Sequence, residues 1–250
     1  MNKNKIYFAS DFHLGANNLE ESHNREKRIV SWLNKIEEDA QAIYLAGDIF
    51  DFWFEYKKVI PKGFVRLLGK LAELIDNGTE IHLFVGNHDL WIGEYFEREI
   101  GIIIHHKPKI IEEQGKRILI GHGDGIGKGD YLYKFIKQIF TSKICQWAFT
   151  RLHPNLAFFI AHSWSNNSRR KHATPFKEKE KEILFMYSKE QQKINPIDYY
   201  VFGHRHLPLE IKIDERATYI NLGEWIVYDS YGVLENGKME LKKHKKSCQL

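Results

Sequence analysis

Apolar residues in this chain fall into short runs that end in Gly, Asp, Asn or His, and between several runs the spacing lengthens to a helical period. Ile6-Tyr7-Phe8-Ala9-Ser10, Ala42-Ile43-Tyr44-Leu45-Ala46 and Ile81-His82-Leu83-Phe84-Val85 have strand length. From about Arg25 to Glu38, Ile29, Trp32, Leu33 and Ile36 recur on one helical face. Phe64 through Ile75 repeats that pattern, and Asn77-Gly78 stops it. Strand, helix, strand, helix, strand predicts an α/β sheet, at least partly parallel.

Ile102–Ile104, Lys109–Ile111 and Arg117–Ile120 read as further short strands. From Tyr131 to about His162 the chain turns helical, heavy in aromatic, aliphatic and basic residues, and Glu178 to Gln192 reads as one more charged helix. Asp198–Phe202 returns to strand. Alternating segments then follow at Leu209–Ile213, Ala217–Asn221, Trp225–Tyr228, Tyr231–Leu234 and Lys238–Leu241. Glu235-Asn236-Gly237-Lys238 is a hairpin turn signal, and Lys242 to Leu250 reads as a frayed tail. No fixed-period repeat or low-complexity linker interrupts the chain.

At 250 residues, 43% hydrophobic and 28% charged, the composition is that of a soluble globular domain with ample core material. No apolar run approaches the roughly 18 residues of a membrane span, and Met1-Asn2-Lys3-Asn4-Lys5 leads into no secretory apolar region. A cytoplasmic protein is expected. Cys145 and Cys248 are too isolated for a disulfide framework or a thiolate metal site. The net charge of +4 permits an anionic substrate or an anionic membrane surface without demanding either. Basic residues are spread among 33 acidic ones, so nucleic-acid binding is not expected.

The chemistry lies where the strands stop. Asp11-Phe12-His13, Gly47-Asp48-Ile49-Phe50-Asp51, Gly86-Asn87-His88-Asp89, Gly121-His122-Gly123-Asp124 and Gly203-His204-Arg205-His206 each close an apolar run. In open α/β sheets the ligand site lies beyond the carboxyl ends of the strands. If the backbone stays extended, Asp11 and His13 share a side and Phe12 turns into packing. Any one of these segments is an ordinary turn. Together they supply carboxylates, neutral imidazoles and an amide oxygen, with Asp48 able to bridge, as a divalent metal pair requires. Two such ions, about 3.5–4 Å apart, clamp a phosphoryl group during in-line attack. Oxygen and nitrogen donors without sulfur suit Mn²⁺ best, with Fe or Zn²⁺ also compatible. His88 is placed beside the metals as a proton or hydrogen-bond donor, with Asp51 orienting its ring and favouring its protonated form. His82 and the His105-His106 pair read as packing.

The order of these motifs resembles the calcineurin-like metallophosphoesterase family, from Asp11 to His206. The resemblance implies a four-layer α-β-β-α sandwich forming one domain over 1–250, with 131–192 a helical lid inserted in it. It implies that Asp11, His13, Asp48 and His206 hold one metal and that Asp48, Asn87, His122 and His204 hold the other, with His88 and Asp51 as the catalytic pair. Attack by a metal-bridging hydroxide would follow.

Within the family, Gly47 to Trp53, Gly86 to Gly93, the Gly121–Asp124 motif followed by Asp130 and Tyr133, and the place of the helical insertion resemble a lipid A branch. That branch hydrolyses UDP-2,3-diacylglucosamine to UMP and 2,3-diacylglucosamine 1-phosphate. The resemblance implies a lipid-linked nucleotide substrate, a peripheral position on the cytoplasmic face of the inner membrane, and substrate contacts from Asn87, Asp130, Tyr133, Asn167, Ser168, Arg169 and Arg170. Two positions depart from the branch: His88 stands where its members carry Arg, and Asp51 where they carry Glu. The competing expectations are a phosphoesterase of another nucleotide or phosphodiester and a binding scaffold on the same fold.

Overall fold

The computed structural model describes residues 3–127, 131–160, 178 and 182–245. Two sheets stack face to face. The first has strand order β11-β10-β1-β2-β3-β4, built from β1 (Lys5–Ala9), β2 (Ala40–Leu45), β3 (Glu80–Phe84), β4 (Ile103–His105), β10 (Ser230–Glu235) and β11 (Lys238–Lys243). The second has order β5-β6-β7-β9-β8, from β5 (Lys109–Glu113), β6 (Lys116–Gly121), β7 (Tyr199–Phe202), β8 (Pro208–Lys212) and β9 (Thr218–Leu222). Strands β1 to β4 run parallel, as do β6, β7 and β9, while β5, β8, β10 and β11 pair antiparallel at the edges.

The strands read as unbroken apolar runs because both faces of each sheet are covered. Along β1, Ile6 and Phe8 point between the sheets, where they meet Ala42, Tyr44, Ile118, Ile120, Val201 and Ile220. Tyr7 and Ala9 point the other way. They pack under α1 (Leu19–Ile36) and α2 (Val65–Asp76) through Ile29, Trp32, Leu33, Leu67 and Leu71. On the far side, Leu184 and Phe185 of α6 (Ile183–Ile194) cover Leu119, Phe202 and Tyr219. This is the expected four-layer order. Each large side chain so buried contributes roughly 1.5–3 kcal/mol. Exposed ion pairs add at most about 1 kcal/mol each, so the three apolar interlayers hold the frame.

Between β6 and β7 the chain leaves the sheets through α3 (Tyr131–Phe140), α4 (Lys143–Phe149) and a helix over 154–160 (α5) before returning in α6. Phe149 and Phe158 seat these helices on Phe52, Phe54 and Trp91, with ring centroids 4.5–6.0 Å apart.

Four local expectations change. Helix α1 begins at Leu19 rather than near Arg25, because the Asn18 side chain accepts from the Glu21 N–H at 2.8 Å and caps it. Helix α6 begins at Ile183 rather than Glu178. Trp225–Tyr228 is a turn, since the Glu224 carboxylate accepts the N–H groups of Ile226, Val227 and Tyr228 and leaves none for a ladder. Strand β11 carries Lys242 and Lys243 in register with Tyr231 and Ser230. A short π-helix at Phe96–Ile100 went unpredicted.

Candidate active site and metal centre

All five motif segments follow the carboxyl ends of parallel strands: β1, β2 and β3 in one sheet, β6 and β7 in the other. They meet at one rim. The loops after β1 and β2 stay zipped together, with Asp11 N–H donating to the Gly47 carbonyl and His13 N–H to that of Asp48, both at 3.0 Å. Asp11 and His13 are not extended. Their φ values are +54° and +44°, and Asp48, His204 and His206 are also left-handed, at +54°, +68° and +55°. Non-glycine residues held there cost of order 1–3 kcal/mol each, and such positions concentrate where side chains must be aimed. Phe12 still turns into packing, edge-on to Trp32 and Trp225.

The side chains form two groups joined at Asp48. In the first, His206 Nε2 lies 3.2 Å from Asp11 Oδ1 and 3.0 Å from His13 Nε2. His13 Nε2 is 3.6 Å from Asp11 Oδ1 and 3.9 Å from Asp48 Oδ2. In the second, Asn87 Oδ1 faces His122 Nε2 at 3.0 Å and His204 Nδ1 at 2.9 Å, and His122 Nε2 reaches Asp48 Oδ2 at 3.2 Å. Asp11 Oδ1 and Asp48 Oδ2 are buried without a hydrogen-bond partner. The outer oxygens are held in place: Asp48 Oδ1 accepts from His88 N–H and Asp11 Oδ2 from His204 N–H.

This geometry fits cations. His122 Nδ1 must donate to the Ala46 carbonyl at 2.9 Å, so in the neutral ring Nε2 is bare and confronts two oxygen acceptors. Only a proton or a cation reconciles them. With metal bonds of about 2.0–2.2 Å, neighbouring donors sit about 3 Å apart, and the separations seen run from 2.9 to 3.9 Å, the longest being those of His13 to the two carboxylates. The charges agree. Burial opposes ionisation of Asp11 and Asp48, yet the surrounding histidines hold both carboxyls well below their usual range. Burial also works against charging His122, but Asp48, Asp11 and Asp124 push it up to about 10. Burial drives His13 down to about 3.

A family model of the calcineurin-like phosphoesterases matches residues 4–208. The chain belongs to the calcineurin-like phosphoesterase family. It is 35% identical to the UDP-2,3-diacylglucosamine hydrolase of Porphyromonas gingivalis, over 96% of this chain and 97% of that protein. It is 26% identical to the protein of the same name from Pseudomonas aeruginosa, over 88% and 90% of the two chains. A third relative of that name, from Aeromonas hydrophila, is 27% identical over 95% of this chain and 97% of its own. Divalent cations are the partners that the family and this donor set imply.

His88 stands beside the phosphoesterase donors, edge-on to His13 at 4.9 Å, with Nε2 4.0 Å from Asp48 Oδ2. Its ring is set by the main chain of Asp51: Nδ1 donates to that carbonyl at 3.2 Å, while the Asp51 carboxylate is 3.7 Å away. Burial lowers the His88 pKa, the reverse of the protonation expected from Asp51. Tyr133 donates to Asp124 at 2.5 Å. Asp130, Asn167, Ser168, Arg169 and Arg170 lie outside the described residues.

Sequence reasoning missed the supports. Asp89, fully buried, accepts from Ile49 N–H at 2.9 Å and Gly86 N–H at 2.7 Å, pinning two donor loops together. Burial beside Asp48 raises its pKa to about 7. Its place directly after Asn87-His88 was the available signal. The motif glycines have steric reasons: a Cβ on Gly47 would come within 2.7 Å of the His122 ring, and one on Gly203 within 2.5 Å of Asp11 Oδ2.

Proposed function

We propose that this phosphoesterase hydrolyses the pyrophosphate bond of UDP-2,3-diacylglucosamine, releasing UMP and 2,3-diacylglucosamine 1-phosphate. The observation that carries the reading is that two donor loops also line a largely apolar cavity, through Leu14 directly after His13 and Phe52 directly after Asp51. The cavity, about 570 Å³, opens between α5 and the loops after β1 and β2, and Leu14, Phe52, Tyr56, Phe64, Pro154 and Phe158 line it. A nucleotide pyrophosphate carrying acyl chains needs both features side by side. The names of the relatives support the same substrate.

Asp11, His13, Asp48 and His206 would hold one ion, and Asp48, Asn87, His122 and His204 the other, with Mn²⁺ preferred for its match to mixed oxygen and imidazole donors. Ions bound there polarise the phosphoryl group and supply a nucleophile at neutral pH. Asp48 keeps the two donor groups in one frame. His88, its Nδ1 donating to the Asp51 carbonyl, directs a bare Nε2 into the cluster, and only once that nitrogen takes up a proton would it donate to a phosphoryl oxygen.

Residues 131–192 act as a lid within the single domain. Tyr131, Leu132, Phe135 and Ile139 leave a side of α3 exposed, and Ile144 and Trp147 do the same on α4, among Lys134, Lys143 and Arg151. That mixture suits peripheral contact with an anionic membrane on the cytoplasmic side. Among the described residues, no helix is long and apolar enough to cross a bilayer.

The test is UMP release from UDP-2,3-diacylglucosamine by Mn²⁺-loaded protein, read by mass spectrometry beside bis-p-nitrophenyl phosphate and UDP-glucose. Turnover of the lipid well above both soluble compounds is expected. Turnover of the soluble compounds alone would overturn the substrate and leave a general phosphodiesterase, the reading that His88 and Asp51 favour by following the broad family pattern.

A further inference from the structure

The chain entering the helical segment between β6 and β7, and the chain leaving it, are each fastened by a charged contact to a donor loop. On entry, α3 lands on Asp124, two residues beyond His122. Asp124 Oδ2 receives the Tyr133 hydroxyl and Lys137 Nζ, both at 2.5 Å, and Lys134 Nζ reaches the Gly127 carbonyl at 2.6 Å. The Asp124 side chain is only 4% exposed. On exit, Glu182 immediately precedes α6 and is buried. Its two oxygens accept from Arg205 Nε at 3.1 and 2.9 Å, and Arg205 lies between His204 and His206. Leu184, on the first turn of α6, packs so closely on Gly123 that a Cβ there would come within 2.9 Å of it.

Both fastenings therefore reach the loops that carry His122 and His204. The loops carrying Asp11 and His13, Asp48 and Asn87 are secured by other means: the zipper between the loops after β1 and β2, and Asp89. We infer that Lys137 and Glu182 are positioning residues for His122 and His204, so that the helical segment sets the geometry of one half of the donor cluster. The inference rests on the two-metal reading above.

The physical reason is uncompensated charge. With Lys137 in place, the Asp124 carboxylate is neutralised from the helical side. Without it, the buried carboxylate keeps the Tyr133 hydroxyl but loses its cation from the helical side, and the loop that carries His122 loses that tie to α3. Loss of the Glu182 charge removes the carboxylate that meets Arg205 Nε, and with it one tie on the backbone that aims His204. Groups that orient metal ligands in this way alter metal affinity by about 10–100-fold when removed.

The experiment is Mn²⁺ titration of the full chain by calorimetry, with bound manganese per chain counted by mass spectrometry and the spin-coupled Mn pair followed by electron paramagnetic resonance. The wild-type chain is expected to take up two coupled ions. Lys137→Met and Glu182→Gln are each expected to keep one ion at wild-type affinity, weaken the second by about 10–100-fold and lose the coupled signal. Lys137→Arg restores it. Tyr133→Phe, which keeps the ion pair, should give a smaller change and serves should Lys137→Met fail to fold. Two ions at wild-type affinity in both charge variants, or equal weakening of both ions, would overturn the inference. Uptake of fewer than two ions by the wild-type chain would instead overturn the two-metal reading, and the inference with it.

Discussion

Arg25, on the second turn of α1, donates from Nη1 to the main-chain carbonyl of His13 at 2.8 Å. The same guanidinium reaches the carbonyls of Phe12 at 3.2 Å and Ala16 at 3.3 Å, and the residue is 2% exposed. A buried charge thus braces the left-handed loop that presents Asp11 and His13. Arg25→Met leaves the carbonyls of Phe12 and Ala16 without that donor, while that of His13 keeps the Ala16 N–H, at a cost of roughly 2–4 kcal/mol. It should also weaken the ion at Asp11, His13 and His206 while sparing its neighbour. Chemical denaturation with a parallel manganese count checks both, and intact first-site affinity would refute the bracing role.

Gly47 sits at φ +89° with the His122 ring where a side chain would be. Gly47→Ala should push that ring off Asp48 Oδ2 and Asn87 Oδ1. A displacement of about 1 Å at a reacting centre costs about 10²-fold in rate. Comparing kcat with the thermal midpoint separates this local loss from global unfolding.

Asp48 touches both donor groups, so Asp48→Ala should abolish binding of the ion pair. His88→Ala should leave metal content nearly unchanged and slow turnover by about 10²–10⁴-fold. Because the Asp51 main chain, not its carboxylate, holds the His88 ring, Asp51→Asn should cost less than His88→Ala. Metal content and kcat on the three variants decide it, and equal metal loss in Asp48→Ala and His88→Ala would remove His88 from its role.

In β3 and the edge strand β4, outside the donor cluster, His82 Nδ1 and His105 Nε2 share a hydrogen bond at 2.9 Å, with His82 stacked on Tyr44 and His105 on Phe84. Burial lowers both pKa values, His105 to about 4. Unfolded, each imidazole takes a proton near pH 6.5; folded, each resists it. Their contribution to stability is therefore complete above about pH 6.5 and declines as pH falls toward about 4. The thermal midpoint of His105→Gln should fall less steeply than that of wild type between pH 7.5 and 5. Parallel curves would count against the pair.

The strands and their closing motifs were legible because alternation and post-strand glycines are local signals. The start of α1 was not, because the face buried there is made of Ser22, Arg25 and Glu26, which a search for apolar periodicity passes over. The one local clue was Asn18 with Glu21 three residues on. Trp225–Tyr228 has strand-like side chains, but Glu224 takes the backbone donors a strand would need. The stacking of the two sheets depends on contacts such as those of Ile6 and Phe8 with Ile118 and Ile220, which no local pattern announces. His82 and His105 pack against aromatic rings as expected, whereas His106, expected to pack with them, is exposed.

Three of the donor loops hang from one sheet and two from the other. Ions gripped between them would rivet the sandwich across its seam, where apolar side chains mesh and a few hydrogen bonds, such as His204 N–H to Asp11 Oδ2, already cross. Slip of one layer over the other would then disarm the enzyme before it unfolded, and a chelator would loosen the whole body as well as silence the chemistry.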